Sequence, residues 1–341
     1  MVLASGCSGE AQEIQRAQHL AFGTVVDIQF ADVGPDKAAV GFQIVREDLD
    51  FLHATWHPWE PGSLTRVNQL LPFNAEFSIG PSILGLLERS QALHAQSDGL
   101  FNPAIGKLVD LWGFHAQPEG PRTPPDEAAI RALLDAAPSP DDIVIDGVRA
   151  RGTNPAVQLD FGGVAKGFAL GQLSAHLVEL GYADLLINAG GDLIAIGRPA
   201  GRPWRVGIRH PRRPDAVLAS LSVAGGESVF TSGDYERSFT HDGVRYHHML
   251  DPRTGRPARG LQSVTVVTQD PALADAAATA LFVAGPDAWP RIARRMGVEQ
   301  VMVVEGDGSI AITPALAERV TLAEDAPQPR VTPLSDGGAA E

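Results

Sequence analysis

Asp275 and Thr279 stand four residues apart in the alanine-rich stretch ALADAAATALF. If that stretch is helical, both side chains leave one face. A carboxylate and a hydroxyl presented together are hard oxygen donors. A magnesium ion takes such donors while water or phosphate oxygens fill its other positions. The same pair also arises by chance in ordinary helices, so its meaning depends on what stands beside it. A second stretch is LDFGGVAKGFA, residues 159–169. Asp160 is expected to end a strand, and Gly162 and Gly163 let backbone approach a ligand or metal closely. A helix over 164–180 would turn its N-terminal amides towards an anion, with Lys166 adding positive charge. A tight strand-to-helix turn with an exposed lysine is the plain alternative.

Three further stretches carry weaker chemistry. In NAGGDLIAIG, Gly190 and Gly191 follow a strand and read as a turn or bulge. TSGDYERSF puts Thr231, Ser232, Gly233 and Tyr235 at a strand end, where hydroxyls and amides suit a phosphate or a ring edge. In YHHMLDPRTG, a strand over 244–250 would send His247 and His248 to opposite faces, with His248 beside Tyr246 and Leu250. Asp251-Pro252 then starts a turn. A histidine titrates near neutral pH and can move a proton, but a half-exposed strand histidine looks the same in sequence.

The elements that must hold these residues follow from periodicity. Val40, Ile44, Val45, Leu49 and Leu52 give 36–53 helical spacing, and Ile83, Leu86, Leu87 and Leu93 do so for 80–97. Thr123-Pro124 reads as a helix start ahead of Ile130, Leu133 and Leu134, and the proline-rich 115–126 as a surface excursion. Hairpins are expected around Asp146-Gly147, around Asp242-Gly243 and within 301–312. Further strands are expected at 157–160, 185–188, 205–208, 218–223 and 264–268. A helix begins at Asp270-Pro271 and ends before Gly285. Hairpins with helices gathered between groups of strands argue α+β, with mixed or antiparallel sheets, over a parallel doubly wound sheet. Neither G-x-G-x-x-G after a strand nor G-x-x-x-x-G-K-[ST] occurs, so these nucleotide motifs are not supported.

Composition sets the outer limits. The 341 residues are 44% hydrophobic and 20% charged, enough for a sizeable core, and the formal net charge is -14. A surface that acidic repels phosphate backbones, which argues against nucleic-acid binding. A locally basic run (Arg198, Arg202, Arg205, Arg209, Arg212, Arg213) reads as either a solvated loop or an anion site. The lone Cys7 excludes a disulfide framework. Ala4, Ser5 and Gly6 before it resemble the end of a bacterial lipoprotein signal, without the basic and apolar segments that should precede it. No run approaches the roughly 18 apolar residues of a transmembrane helix.

Taken in order, AFGTVVDI, GSLTRVNQL, GLFNPAIGKLVDLWGF, LDFGGVAKGFA, NAGGDLIAIG, TSGDYERSF, YHHMLDPRTG and DAAATALF resemble the FAD:protein FMN transferase family, also called ApbE, over residues 18 to 315. The resemblance implies an α+β fold with two lobes around a central flavin cleft. It also implies a magnesium-dependent enzyme that moves the FMN half of FAD onto a threonine or serine hydroxyl of an acceptor flavoprotein and releases AMP. By the same resemblance, Asp275, Thr279 and the carbonyl of Gly163 would bind magnesium. Asp160, Lys166, Leu100, Phe101, Asn102, Trp56 and Met249 would contact FAD. Phe22 stands where the family often has methionine, and an aromatic ring there can still pack on a flavin. His248 matches the histidine needed for transfer, with Asp160 as the second candidate base. The resemblance divides the chain into a tail (1–17), a transferase domain (18–323) and a mobile C-terminal tail (324–341). It places the protein outside the cytoplasm, on the periplasmic side of the inner membrane, with Cys7 as a lipid attachment point. FAD hydrolysis to FMN and AMP and non-catalytic flavin binding are the competing readings.

Overall fold

The computed structural model describes residues 14–115 and 122–334. Cys7 lies outside the described residues, as does 116–121 of the proline-rich stretch. Strand residues that alternate between two buried faces organise the molecule. Leu185 and Ile187 enter one apolar cluster and Leu186 another; Ile194 and Leu193 divide in the same way, as do Val266 and Val267. Side chains alternate across a strand, so both faces of one sheet are covered. That sheet runs Ile14–Ala21 (β1), Thr24–Ala31 (β2), Leu185–Ala189, Asp192–Ile196, Glu227–Gly233, Leu261–Thr268, Gln300–Glu305, Ile310–Ile312 and Arg330–Val331. Its pairs are antiparallel except the last. A three-stranded sheet of Trp204–His210, Arg213–Val223 and Val320–Leu322 covers one face.

Helices cover the other face. They are α1 (Pro35–Trp56), α2 (Ser63–Leu70), α3 (Pro81–Gln96), α6 (Ala165–Glu179) and α7 (Pro271–Met296), while α4 (Gly106–Trp112) and α5 (Glu127–Ala136) pack on each other in a separate cluster with Leu250. Small residues let α6 lie hard against α7. A Cβ on Gly167 would fall 2.1 Å from the Pro271 carbonyl oxygen, and one on Gly171 would fall 3.0 Å from the Pro271 ring. Ala274, Ala276, Ala277, Ala278 and Ala280 are all buried on α7. The result is the α+β class expected from the sequence. Among the described residues, no helix is long and apolar enough to cross a membrane.

Several elements differ from expectation. Residues 157–160 form no regular strand. Gln158 makes an isolated bridge to Ile105. The Gln158 and Asp160 amides donate to the Ala104 and Pro103 carbonyls, and the Asn68 side chain bonds both backbone groups of Leu159. Loop and side chain thus replace a strand ladder. α5 starts at Glu127, later than Thr123-Pro124 suggested, with Asp126 before it in a non-helical conformation (φ -60°, ψ 137°). α7 does break at Gly285, whose φ is +79°, but resumes through Met296. Of the tail expected to be mobile (324–341), 335–341 lies outside the described residues, and within the described part Arg330–Val331 pairs with Ala311–Ile312. Periodicity also gave no sign of β1, β2, α2 or α4.

Candidate active site

All the candidate residues come to one cavity of about 410 Å³. The hairpin β1–β2 supplies Phe22 at its tip, the last turn of α1 supplies Trp56, and Leu100, Phe101 and Asn102 come from the loop after α3. Asp160, Gly163 and Lys166 approach from the turn into α6, His248 and Met249 from the segment after the Val244–His247 strand, and Asp275 and Thr279 from α7. These residues are separated by as much as most of the chain, so the fold gathers them.

The charged part is built around Asp275. Its carboxylate accepts the Gly167 amide proton at 2.9 Å. The anion at the α6 N-terminus is therefore the protein's own Asp275, where the sequence suggested a ligand. Lys166 is ion-paired with buried Asp192, and the other Asp192 oxygen accepts the Thr231 amide proton at 2.8 Å. Two carboxylates thus share one ammonium. Burial pushes Asp275 up to about 7; Lys166 opposes the shift and Asp192 reinforces it. For Lys166 burial works against the charge, and Asp192 and Asp275 outweigh it, so its value rises. Thr279 Oγ1 lies 3.4 Å from Ser232 Oγ, and a Cβ on Gly163 would sit 3.1 Å from it.

With one ammonium beside two carboxylates, ionising Asp275 leaves a net negative charge that a hard cation would balance. Carboxylate, hydroxyl and carbonyl oxygens suit magnesium. No group of three or more His, Cys, Asp or Glu among the described residues could hold a metal ion. A cation here would therefore rely on hydroxyl, backbone and substrate oxygens as well as Asp275.

The rest of the cavity is aromatic and weakly basic. The rings of Phe22 and Trp56 lie 6.3 Å apart at 26°, and Trp56 Nε1 donates to Ser82 Oγ at 3.0 Å. Leu100, Phe101 and Met249 are nearly buried and form apolar lining. Asn102 reaches the cavity, but its amide is committed: it donates to the Pro138 carbonyl and accepts the Ala104 amide proton, each at 2.9 Å. Asp160 accepts the Gly162 amide proton at 2.8 Å. Burial raises its value against the pull of that bond and of Arg237, His115 and His57.

The expected strand through His248 stops at His247. His247 meets Phe282 edge-on at 5.5 Å, whereas His248 lines the cavity. The two therefore diverge as expected, by a break in the strand as well as by alternation. The His248 amide donates to the Arg237 carbonyl, and its buried Nδ1 has no partner. Burial, then Arg237 and His247, push its ring down to about 3. It stands neutral at physiological pH with a free lone pair.

Sequence reasoning passed over Asp192, Arg237, His53, Trp59 and His115, all in the cavity lining. Asp192 sits directly after Gly191 in the stretch singled out for its glycines. Thr231, Ser232 and Gly233 do line the cavity, but Tyr235 packs beneath Arg209 at 4.7 Å. In the basic run, Arg205, Arg209 and Arg213 lie in strands where a loop was one of the two readings, and Arg209, Arg212 and Arg213 are paired with Glu236, Asp234 and Asp325.

Known proteins resemble this chain closely. The model of the ApbE family matches residues 22–302. A protein of Rhodobacter capsulatus named FAD:protein FMN transferase is 41% identical over 89% of this chain, which spans 58% of that relative's length. One of the same name from Klebsiella pneumoniae is 33% identical over 70% of this chain and 73% of its own. The crystal structure of an ApbE protein from Thermotoga maritima superposes with a TM-score of 0.81 at 31% identity, covering 90% of this chain and 99% of that one.

Proposed function

Because this chain belongs to the ApbE family, we propose that it is a FAD:protein FMN transferase, as its relatives are named. The observation that carries this reading is the convergence of Asp275, Thr279 and Gly163 beside an aromatic cleft wall. The acceptor is a threonine or serine hydroxyl of a flavoprotein. Its oxygen forms a bond to the phosphorus of the FMN half of FAD, the diphosphate P–O bond breaks, and AMP leaves with the bridging oxygen. Magnesium, held by the Asp275 carboxylate, the Thr279 hydroxyl and the Gly163 carbonyl, would supply charge neutralisation at the diphosphate.

The chain's own residues do the rest. Leu100, Phe101, Met249, Phe22 and Trp56 form the apolar lining for the flavin, while Lys166 and Asn102 border the polar part. Asp192 keeps Lys166 charged and in place. His248 takes the proton of the acceptor hydroxyl on its ring, a role typically worth about 10²–10⁴-fold. Its low value suits binding as a neutral group, and an anionic diphosphate nearby raises its basicity. Asp160, raised by burial, is the second candidate for that proton.

Protein, FAD, magnesium and a candidate acceptor are mixed, and intact mass is followed. An acceptor gain equal to FMN, with AMP released, supports transfer. Free FMN and AMP with no labelled acceptor would show that water is the nucleophile. The stretch around Cys7 adds a proposal about location, that a lipid holds the protein on the outer side of the inner membrane. Fatty-acid labelling that disappears in Cys7→Ala tests it.

A further inference from the structure

Phe22 holds a backbone conformation that its side chain disfavours. Its φ is +51°, and that of Gly23 is +72°. Ala21 pairs with Thr24, so the two form a two-residue hairpin turn with both φ positive. Asparagine, aspartate or glycine normally fills the first position of such a turn. A bulky L residue there brings Cβ against the following carbonyl. Strained positions of this kind persist where the surroundings over-determine them. Here the surroundings are His53 of α1. Its Nδ1 accepts the Phe22 amide proton at 3.2 Å, and its ring meets the Phe22 ring edge-on at 5.6 Å. The Phe22 ring then lies beside Trp56, and all three residues line the cavity.

We propose that His53 is a positioning residue that holds Phe22 in its left-handed conformation as part of the flavin-binding wall, and that protonating His53 releases it. The inference rests on the reading of the cavity as a FAD site. Accepting at Nδ1 requires a neutral ring with its proton on Nε2. Burial keeps His53 below the usual histidine value; His57 acts in the same direction, and Glu60 and Asp50 oppose. Those groups face His53 from α1 and the loop after it, and Asp50 is itself engaged by His19 of β1. The bond is therefore intact at neutral pH and is lost as pH falls through the value of the folded protein. A turn that served only to reverse the chain would not need a strained aromatic residue tied to a histidine.

The test titrates FAD into the full chain without acceptor and follows flavin fluorescence at pH 7.5. His53→Ala should raise Kd about three- to tenfold, the scale of one net hydrogen bond with its ring contact. His53→Gln, whose Oε1 can accept the same amide proton, should recover most of that loss. Lowering the pH from 7.5 to about 5 should weaken binding in the wild type more than in His53→Gln, which has no ring to protonate. In a Phe22→Gly background, His53→Ala should have no further effect, because the residue it acts through is gone. Equal Kd for His53→Ala and wild type would overturn the proposal. So would the same fold-loss from His53→Ala in both backgrounds, which would make His53 a direct contact. A wild-type protein that does not bind FAD overturns the functional reading as well, and that result appears before any variant is made.

Discussion

Lys166 pairs with Asp192, and Asp192 and Asp275 each accept a backbone amide proton, whereas Phe22, His53, Trp56, Trp59 and His115 meet mainly ring against ring. The first group stands on α6, α7 and a central strand, packed so closely that glycine is required between the helices. The second stands on a hairpin tip, a helix end and loops. Trp59 and His115 stack at 4.3 Å, and the buried His115 Nδ1 has no partner. The contrast separates two tasks. Charge chemistry needs fixed donors and a fixed surplus of charge, so it is placed where nothing can relax. Ring recognition rests on apolar area and on either offset-stacked or edge contacts, so more than one arrangement serves it.

Substitutions can break that division or sharpen it. Asp275→Ala should remove magnesium-dependent turnover, a loss on the order of 10⁴-fold for several kcal/mol of charge stabilisation. Unchanged turnover would take Asp275 out of the metal site. His248→Ala should retain FAD binding and lose about 10³-fold in transfer; loss of binding as well would move His248 to the recognition side. Asp192→Asn removes the ion-pair partner of Lys166 and leaves only the nearby Asp275 to balance its charge, and should lower unfolding free energy by about 3 kcal/mol in denaturant titration. A neutral result would show that the charged part is not over-determined.

A pH effect follows from Asp275, which burial holds at about 7. Its raised value means that the metal-free folded state keeps a proton the unfolded chain gives up above about pH 4. That contribution to stability is complete below pH 4 and is lost as pH rises through 7. At the proposed site magnesium would bind the ionised form, so its apparent affinity should rise about tenfold per pH unit up to 7 and level off above it. Titrations of magnesium at pH 6, 7 and 8 check this. The smallest effect belongs to the aromatic wall: Trp56→Ala should weaken FAD binding about five- to tenfold, read by the same fluorescence titration. A loss as large as that of Asp275→Ala would end the distinction between the two parts.

Spacing made one pair of the site legible, and the resemblance supplied the rest. Asp275 and Thr279 lie one helical turn apart, and a helix does carry them. The glycine pair before Lys166 marked a close approach, which Gly163 makes to Thr279. Other positions misled for identifiable reasons. Tyr235 follows Gly233 in the chain but packs beneath Arg209, whose guanidinium lies 4.7 Å from its ring centroid. Asn102 reaches the cleft with its amide already engaged by Pro138 and Ala104. The segment at 157–160 has strand-like residues, but its backbone partners are a loop and the Asn68 side chain, distant in sequence.

The amino-acid order alone determined which residues share a face and where turns must fall, because helical and extended periods act over a few neighbours. It also carried the succession of motifs that marks the family. The partners across long gaps were decided only by the folded chain. Asp275 receives the Gly167 amide 108 residues away, and Lys166 finds Asp192 26 residues away. Local propensity cannot specify such meetings. They arise when α6 and α7, brought together through Gly167, Gly171 and buried alanines, close on each other and on the central strands of the sheet, so that burial fixes both the distance and the charge.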